Sequence, residues 1–148
     1  MADFIGRDEA EARELLAEAG VRILNIDSPE CDIVLAEVLE EEARHERAQI
    51  VAEPPEDESA AAEGMGAWHV NEVNEFETVI DGDGIVEFWT SDGAVSVVLT
   101  AGDIMAVERA EHRYRPLTSQ SWALRFGGPA DGDLVSFETE RDSGDWPL

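Results

Sequence analysis

The sequence predicts a mainly β chain, an antiparallel β-barrel or sandwich preceded by two helices. Three observations carry this prediction. Two segments near the start have helical spacing and capping residues, short β-rich runs follow residue 67, and glycine-containing turns separate those runs. Closely spaced strands joined by tight turns are typical of antiparallel sheets, because such turns join neighbouring antiparallel strands.

The N-terminal part, residues 1–66, is predicted to be mainly helical and to end in a connector. Its first helix covers residues 8–19. Asp8 is suited to accept a hydrogen bond from the first turn, and Gly20 is typical of the position just after a helix. A strand is predicted to follow over residues 21–26, where apolar residues dominate.

The second helix is predicted to start at Ser28 as N-cap, with Pro29 at its first helical position. Apolar side chains up to residue 39 form its buried face, and a charged continuation extends to residue 47. His45 lies in that continuation and is expected to be exposed on the helix, so we exclude it from the site. A further strand over 48–53 precedes an irregular connector that ends at residue 66.

The remainder of the chain, residues 67–148, is predicted to form the β-barrel. Its turn signals include Asp-Gly-Asp-Gly at 81–84 and Ala-Gly-Asp at 101–103. One domain over 1–148 is expected, because this length buries a core without disulfides. The predicted strands cover residues 75–80, 84–90, 94–100, 104–107, 112–116, 121–126 and 134–138.

The composition narrows the classes of partner. Asp and Glu number 35 against 10 basic residues, all of them arginine, for a formal charge of −25. This charge repels phosphate backbones and anionic lipids, so no nucleic acid and no membrane surface is expected as a partner. A single cysteine, Cys31, excludes an internal disulfide, and no signal peptide or apolar run of about 20 residues is visible. We expect a cytoplasmic protein and leave a homodimer open.

Two of the three histidines carry the chemical hypothesis. His69 opens His-Val-Asn-Glu-Val-Asn-Glu, and His112 follows about forty residues later in Glu-His-Arg-Tyr. Alternate residues share a face of a strand, which points four odd-numbered side chains into one space unless a turn intervenes: His69, Asn71, Glu75 and Glu77. Imidazole and carboxylate ligands with open positions are those that non-haem iron enzymes use. The alternative is that both are ordinary surface or core histidines.

The segment from His69 to Gly84 resembles the first sequence motif of the cupins, with a spacing most similar to that of the acireductone dioxygenase family. That motif reads His-x-His, three residues, Glu, six residues and Gly-x-Gly. His69, Glu75, Gly82 and Gly84 fall in register with it. A looser second motif, Gly-Asp-Ile-Met-Ala-Val, is followed by His112 at a distance one residue short of the family's spacing.

This resemblance implies a cupin-type antiparallel β-barrel, or jelly roll, and a metal-dependent dioxygenase that cleaves an enediol-type small molecule with O2. It implies Fe²⁺ or Ni²⁺, with Mn²⁺ also compatible, held by His69, Glu75 and His112. The implied substrate is acireductone, from methionine salvage. Asn71 replaces the second histidine of the pair, so it is a weak ligand or a neighbour of the ligands. Glu77 replaces an arginine, and it joins Glu75 as a candidate catalytic residue.

Two other functions are left open. A cupin that binds a small molecule without catalysis, or that has lost its metal, is favoured by Asn71 and Glu77. A cupin isomerase or lyase would use the metal only as a Lewis acid. An acid at position 77 repels an anionic substrate or attracts a cationic one, unless Arg113 or Arg125 faces inward and offsets its charge.

Overall fold

The computed structural model describes residues 1–39, 45–127 and 135–148, and these residues form two antiparallel sheets and two helices. The helices are α1 (Glu9–Glu18) and α2 (Cys31–Leu39), and short 3₁₀ turns cover Ala60–Ala62 and Gly64–Gly66. The predicted mainly β class is confirmed. The strands in chain order are β1 (Asp3–Ile5), β2 (Val21–Asn25), β3 (His45–Ala52), β4 (His69–Asn71), β5 (Glu75–Asp81), β6 (Gly84–Thr90), β7 (Gly93–Leu99), β8 (Asp103–Val107), β9 (His112–Pro116), β10 (Gln120–Phe126) and β11 (Ser136–Glu138).

The two sheets enclose a shared core. The first sheet has the strand order β1-β7-β6-β9-β4-β11, and the second has the order β2-β8-β5-β10-β3. Val86, Phe88 and Val97 of the first sheet are buried in one cluster with Val79 and Met105 of the second. Alternate residues of each strand therefore face the space between the sheets, which is where the candidate site lies.

Helix α1 agrees with its prediction. The Asp8 side chain accepts a hydrogen bond from the backbone N–H of Glu11 at 3.2 Å, as expected of an N-cap. Ala12 and Leu16 are fully buried in the core cluster of the sheets. Gly20 has a φ of +90°, a left-handed conformation that glycine adopts without strain, and it lets the chain turn from the helix into β2.

Helix α2 covers the outer face of the second sheet, where its buried Val34 and Val38 cluster with side chains of β5 and β8. The predicted N-cap is wrong, because the helix begins at Cys31 rather than beside Ser28. The Ser28 hydroxyl instead accepts a hydrogen bond from the Asn25 backbone N–H at 3.1 Å. The residues before the helix are therefore held in a turn that ends β2.

The predicted charged continuation of α2 is wrong for the residues from His45 onward, and residues 40–44 lie outside the described part of the chain. His45 begins β3 and pairs with Phe126 of β10, and their ring centroids are 5.2 Å apart. Pairing along β10 satisfies the backbone groups of the segment, which outweighs its weak helical preference. The N-terminal part is thus less helical than predicted, because it supplies β1, β2 and β3 to the two sheets.

The β region agrees closely with its prediction. Strands β5 to β10 match the predicted runs to within one residue at each end. The last run is strand from residue 136, while residue 134 falls outside the described part. No helix among the described residues is long and apolar enough to cross a membrane.

Candidate functional site

A cavity of about 230 Å³ lies between the sheets. Both candidate histidines and both candidate acids line it, although β4 and β5 belong to different sheets. The turn at residues 72–74 carries the chain from one sheet to the other, so the four odd-numbered residues converge from two facing walls rather than along one strand. The cavity is lined by Arg47, Ile50, Met65, His69, Asn71, Glu75, Glu77, Val79, Val86, Leu99, Met105, His112, Tyr114, Gln120, Trp122, Leu124 and Ser136.

The two histidines lie opposite each other in the first sheet. His69 of β4 pairs in register with His112 of β9, and their ring centroids are 4.4 Å apart. Nδ1 of His69 donates to the Ala67 carbonyl at 2.7 Å, and Nδ1 of His112 donates to the Ala110 carbonyl at 2.8 Å. A carbonyl only accepts, so each Nδ1 carries a proton, and in a neutral ring Nε2 is then the nitrogen with the free lone pair. Metal-binding histidines are oriented in this way.

The environment of His112 keeps its ring neutral. Burial and, to a smaller extent, the neighbouring His69 lower the pKa of His112 to about 4, although the hydrogen bond to Ala110 acts in the opposite direction. The side chain is only 4% exposed. A neutral imidazole is the form that binds a metal, so His112 needs to lose no proton near pH 7.

The acids of β5 face the histidines from the second sheet. Burial, together with the charge of Glu77, raises the pKa of Glu75 well above its usual range, and a hydrogen bond from Asn71 offsets part of this rise. Burial raises the pKa of Glu77 to about 7, and the nearby Trp122 side chain offsets part of it. Two acids thus lie in the cavity with a reduced tendency to ionise, as is common at functional sites.

Asn71 connects the two sheets through its amide. Its Nδ2 group donates to Oε1 of Glu75, and its Oδ1 accepts from the hydroxyl of Ser136 on β11. The amide therefore bridges Glu75 of the second sheet and Ser136 of the first. Ser136 was not predicted as a site residue, because a serine far along the chain gives no signal in sequence until β11 is known to pair with β4.

The fit of these residues to a metal ion is partial. Two imidazoles and a nearby carboxylate have the right donor chemistry for Fe²⁺, Ni²⁺ or Mn²⁺. However, within the part of the chain that the structure describes, no three His, Cys, Asp or Glu side chains surround a point that could hold a metal. Glu75 is instead bound to Asn71. A three-ligand centre would therefore require these side chains to move closer together.

The opposite part of the cavity wall was missed by the sequence reasoning. Tyr114 donates to Oε1 of Gln120 at 2.5 Å, and its ring meets Trp122 edge-on at a centroid distance of 5.3 Å. Gly84 leaves room for this pair, because a Cβ there would lie 2.2 Å from Gln120 Oε1 and 2.7 Å from Tyr114 Cε1. Alternation along β9 and β10 could have indicated that these side chains face inward, since Tyr114 follows His112 by two residues.

The two arginines that could have offset Glu77 do not line the cavity. Arg113 forms a buried ion pair with Glu87 at 2.5 Å, and its guanidinium lies 3.9 Å from the ring centroid of Trp146. Arg125 is exposed on the outer face of β10. Each follows an inward-facing residue by one position, so the pleat turns both away from the site.

No protein-family model matches the sequence, and no curated protein does either. Solved structures do match. Acireductone dioxygenase from Bacillus anthracis, with a cadmium ion in its active centre, shares 16% identity at a TM-score of 0.57, over 90% of this chain and 96% of that one. Oxalate decarboxylase from Bacillus subtilis shares 14% identity at a TM-score of 0.47, over 80% of this chain but 27% of that one. Oxalate decarboxylase from Lactobacillus farciminis, in a formate complex, shares 15% identity at a TM-score of 0.47, over 80% of this chain and 31% of that one.

The likeness to the B. anthracis structure extends over nearly the full length of both chains. It concerns the arrangement of the two facing antiparallel sheets. At this identity it concerns the fold and not the reaction. The chain has the cupin fold.

Proposed function

We propose that the chain binds one divalent metal ion through Nε2 of His69 and His112, with Glu75 as the third ligand, and acts as a metal-dependent dioxygenase. The observation that carries this proposal is the histidine pair, placed in register on β4 and β9 with both Nδ1 atoms bound to backbone carbonyls. Structural histidines have no need for two unpaired Nε2 atoms beside a cavity. The fold of the B. anthracis acireductone dioxygenase supports the same choice.

The metal would be Fe²⁺ or Ni²⁺, with Mn²⁺ compatible with the same donors. When bound, it would supply a charged template that holds the oxygens of an enediol-type small molecule and favours their reaction with O2. Burial between the sheets separates the reacting groups from bulk water, which strengthens the electrostatic interactions of the site.

Glu77 is the candidate for proton transfer. Its pKa of about 7 lets it accept and release a proton near neutral pH, which suits a general acid or base. Asn71 would position the carboxylate of Glu75 through its amide hydrogen bond, with Ser136 holding the amide. Removing Glu77 should therefore lower turnover without removing the metal.

A specific observation favours a second candidate, a cupin that binds a small molecule without metal chemistry. Glu75 is hydrogen-bonded to Asn71, and no complete group of three metal-binding side chains is present in the described residues. Under this alternative, His69 and His112 would be cavity walls that hydrogen-bond a ligand. The two candidates differ in whether the purified protein retains metal.

Metal content, measured by plasma mass spectrometry on anaerobically purified protein, tests the proposal. We expect close to one Fe, Ni or Mn per chain, lost in His69→Ala and in His112→Ala. His45→Ala is a matched control, because His45 lies on β3 and does not line the cavity. O2 uptake with an enediol should follow metal content. Protein that neither retains metal nor takes up added Fe²⁺ or Ni²⁺ would refute the dioxygenase and leave the binding protein.

A further inference from the structure

The strand pair that brings the two histidines together is short. Within the described residues, β4 and β9 share one register pair, His69 with His112, whereas β9 shares five such pairs with β6 on its other side. Beyond β4 the sheet ends in β11, a strand of three exposed residues. One pair does little to fix the separation of two strands, because a sheet is stabilised pair by pair along its ladder. The spacing of the histidines therefore needs contacts outside the ladder.

The C-terminal segment 139–146 supplies such contacts on the face of the sheet opposite the cavity. The backbone N–H of Thr139 donates to the carbonyl of Trp68, which precedes β4, at 3.0 Å, and its hydroxyl donates to the carboxylate of Glu111, which precedes β9. Arg141 donates from two guanidinium nitrogens to the two oxygens of that carboxylate, both at 2.9 Å. The C-terminal segment thus ties the start of β4 to the start of β9, one residue before each histidine.

Arg113, one residue after the histidine of β9, holds the other end of the C-terminal segment. Its guanidinium donates to the carbonyls of Gly144 at 3.4 Å and Asp145 at 3.2 Å. It lies 3.9 Å from the ring centroid of Trp146 and 5.3 Å from that of Trp68, within the range of cation–π attraction. Arg113 is only 2% exposed, so these contacts are shielded from water. Residues on both sides of the β9 histidine therefore contact the C-terminal segment.

The backbone of the C-terminal segment is constrained soon after β11. Glu140 has a φ of +61°, in the left-handed region that costs free energy for residues other than glycine. Such conformations persist where the surrounding structure determines them. The hydrogen bonds of Thr139 and Arg141 to Trp68 and Glu111 lie on either side of this residue. These contacts therefore impose the path of the segment.

We infer that the C-terminal segment sets the spacing of His69 and His112, and that Arg141 is a positioning residue that acts on this pair through Glu111. As a statement about metal binding, this rests on the proposed function, whereas the spacing of the two rings is a property of the protein without metal. Imidazole nitrogens bind an ion such as Zn²⁺ at about 2.0–2.1 Å, so a shared metal requires a fixed separation of the two rings. Groups that orient metal ligands from outside typically change metal affinity by about 10- to 100-fold.

The test compares Arg141→Gln with the matched control Arg7→Gln. Arg7 also pairs with a carboxylate, that of Asp92 at 2.8 Å, and also donates to a backbone carbonyl, but it joins β1, at the opposite edge of the sheet, to the turn between β6 and β7. Ni²⁺ affinity is measured by competition titration and the free energy of unfolding by urea denaturation. The contact between the ring protons of His69 and His112, whose centroids are 4.4 Å apart, is measured as a nuclear Overhauser effect in the metal-free protein.

We expect Arg141→Gln to weaken Ni²⁺ binding by about tenfold and to reduce the contact between the rings. Its free energy of unfolding should equal that of Arg7→Gln, because both ion pairs are partly exposed and contribute little to stability. Arg141→Lys keeps the charge and one donor and should recover part of the affinity. Glu111→Gln removes the same ion pair from its other side, so the double variant with Arg141→Gln should lose no more affinity than either single variant.

An unchanged contact between the rings in Arg141→Gln would overturn the inference. Loss of Ni²⁺ affinity to the same extent in Arg7→Gln would also overturn it, because the effect would then be general. Protein that binds no Ni²⁺ but loses the ring contact in Arg141→Gln would keep the role of the segment and refute the proposed function. Ni²⁺ binding that is lost in His69→Ala but unchanged in Arg141→Gln would keep the proposed function and overturn the inference.

Discussion

Neutralising Glu77 should stabilise the metal-free protein above neutral pH and have little effect in acid. Burial raises the folded-state pKa of Glu77 to about 7 from its ordinary value of 4.5. Between these values the folded state binds more protons than the unfolded state, so this group lowers the free energy of unfolding as pH rises. The penalty is small at pH 5, grows through pH 7 and amounts to roughly 3 kcal/mol at pH 8 and above, since one pKa unit corresponds to about 1.4 kcal/mol.

The variant Glu77→Gln removes the titrating proton while keeping the shape of the side chain. Urea denaturation should show that the variant exceeds wild type in free energy of unfolding by about 2–3 kcal/mol more at pH 8 than at pH 5. This corresponds to roughly 5–10 °C in Tm for a chain of this size. Loss of a negative charge from a chain of formal charge −25 also relieves general repulsion, so the exposed Glu72→Gln serves as the control for that effect. An advantage that is equal at both pH values, or equal to that of the control, would refute the argument from burial.

Two further predictions concern the shape of the site. Asn71→His places an imidazole where Asn71 binds Glu75 and should tighten metal binding by about tenfold in a competition titration, whereas unchanged affinity would place residue 71 outside the ligands. Gly84→Ala should lower the free energy of unfolding by about 1–3 kcal/mol in urea, because its Cβ would overlap Gln120 and Tyr114. Wild-type stability in that variant would show that the two side chains move aside at no cost.

The β region could be predicted closely because its strands are short, alternate in polarity and are bounded by glycine turns. Alternation also predicted correctly that His69 and Glu77 would face one space. The sequence could not show that β4 and β5 lie in different sheets, because that depends on how the turn at residues 72–74 directs the chain. The odd-numbered side chains converge because they project from two facing sheets. Alternation along a single strand predicts the same convergence, but from a different geometry.

The errors occur where tertiary pairing determines the structure. His45 follows a helix and lies among charged residues, so local preference favours a helix, yet β10 provides an unpaired edge that the segment covers as β3. Ser136 and Trp122 are likewise unremarkable in sequence. They become site residues because β11 pairs with β4 and because β10 places alternate side chains in the cavity.

The two departures from the family motif act on the same quantity, the charge of the cavity. Asn71 supplies an amide where a histidine would supply a metal ligand, and Glu77 supplies an acid where an arginine would supply positive charge. Burying two carboxylates without a cation is costly, so the metal-free protein favours the protonated forms of Glu75 and Glu77, as the raised pKa values of both groups indicate. A divalent ion beside Glu75 would displace such a proton. The proposed metal therefore replaces a bound proton by a fixed positive charge, so its binding should tighten as the pH rises.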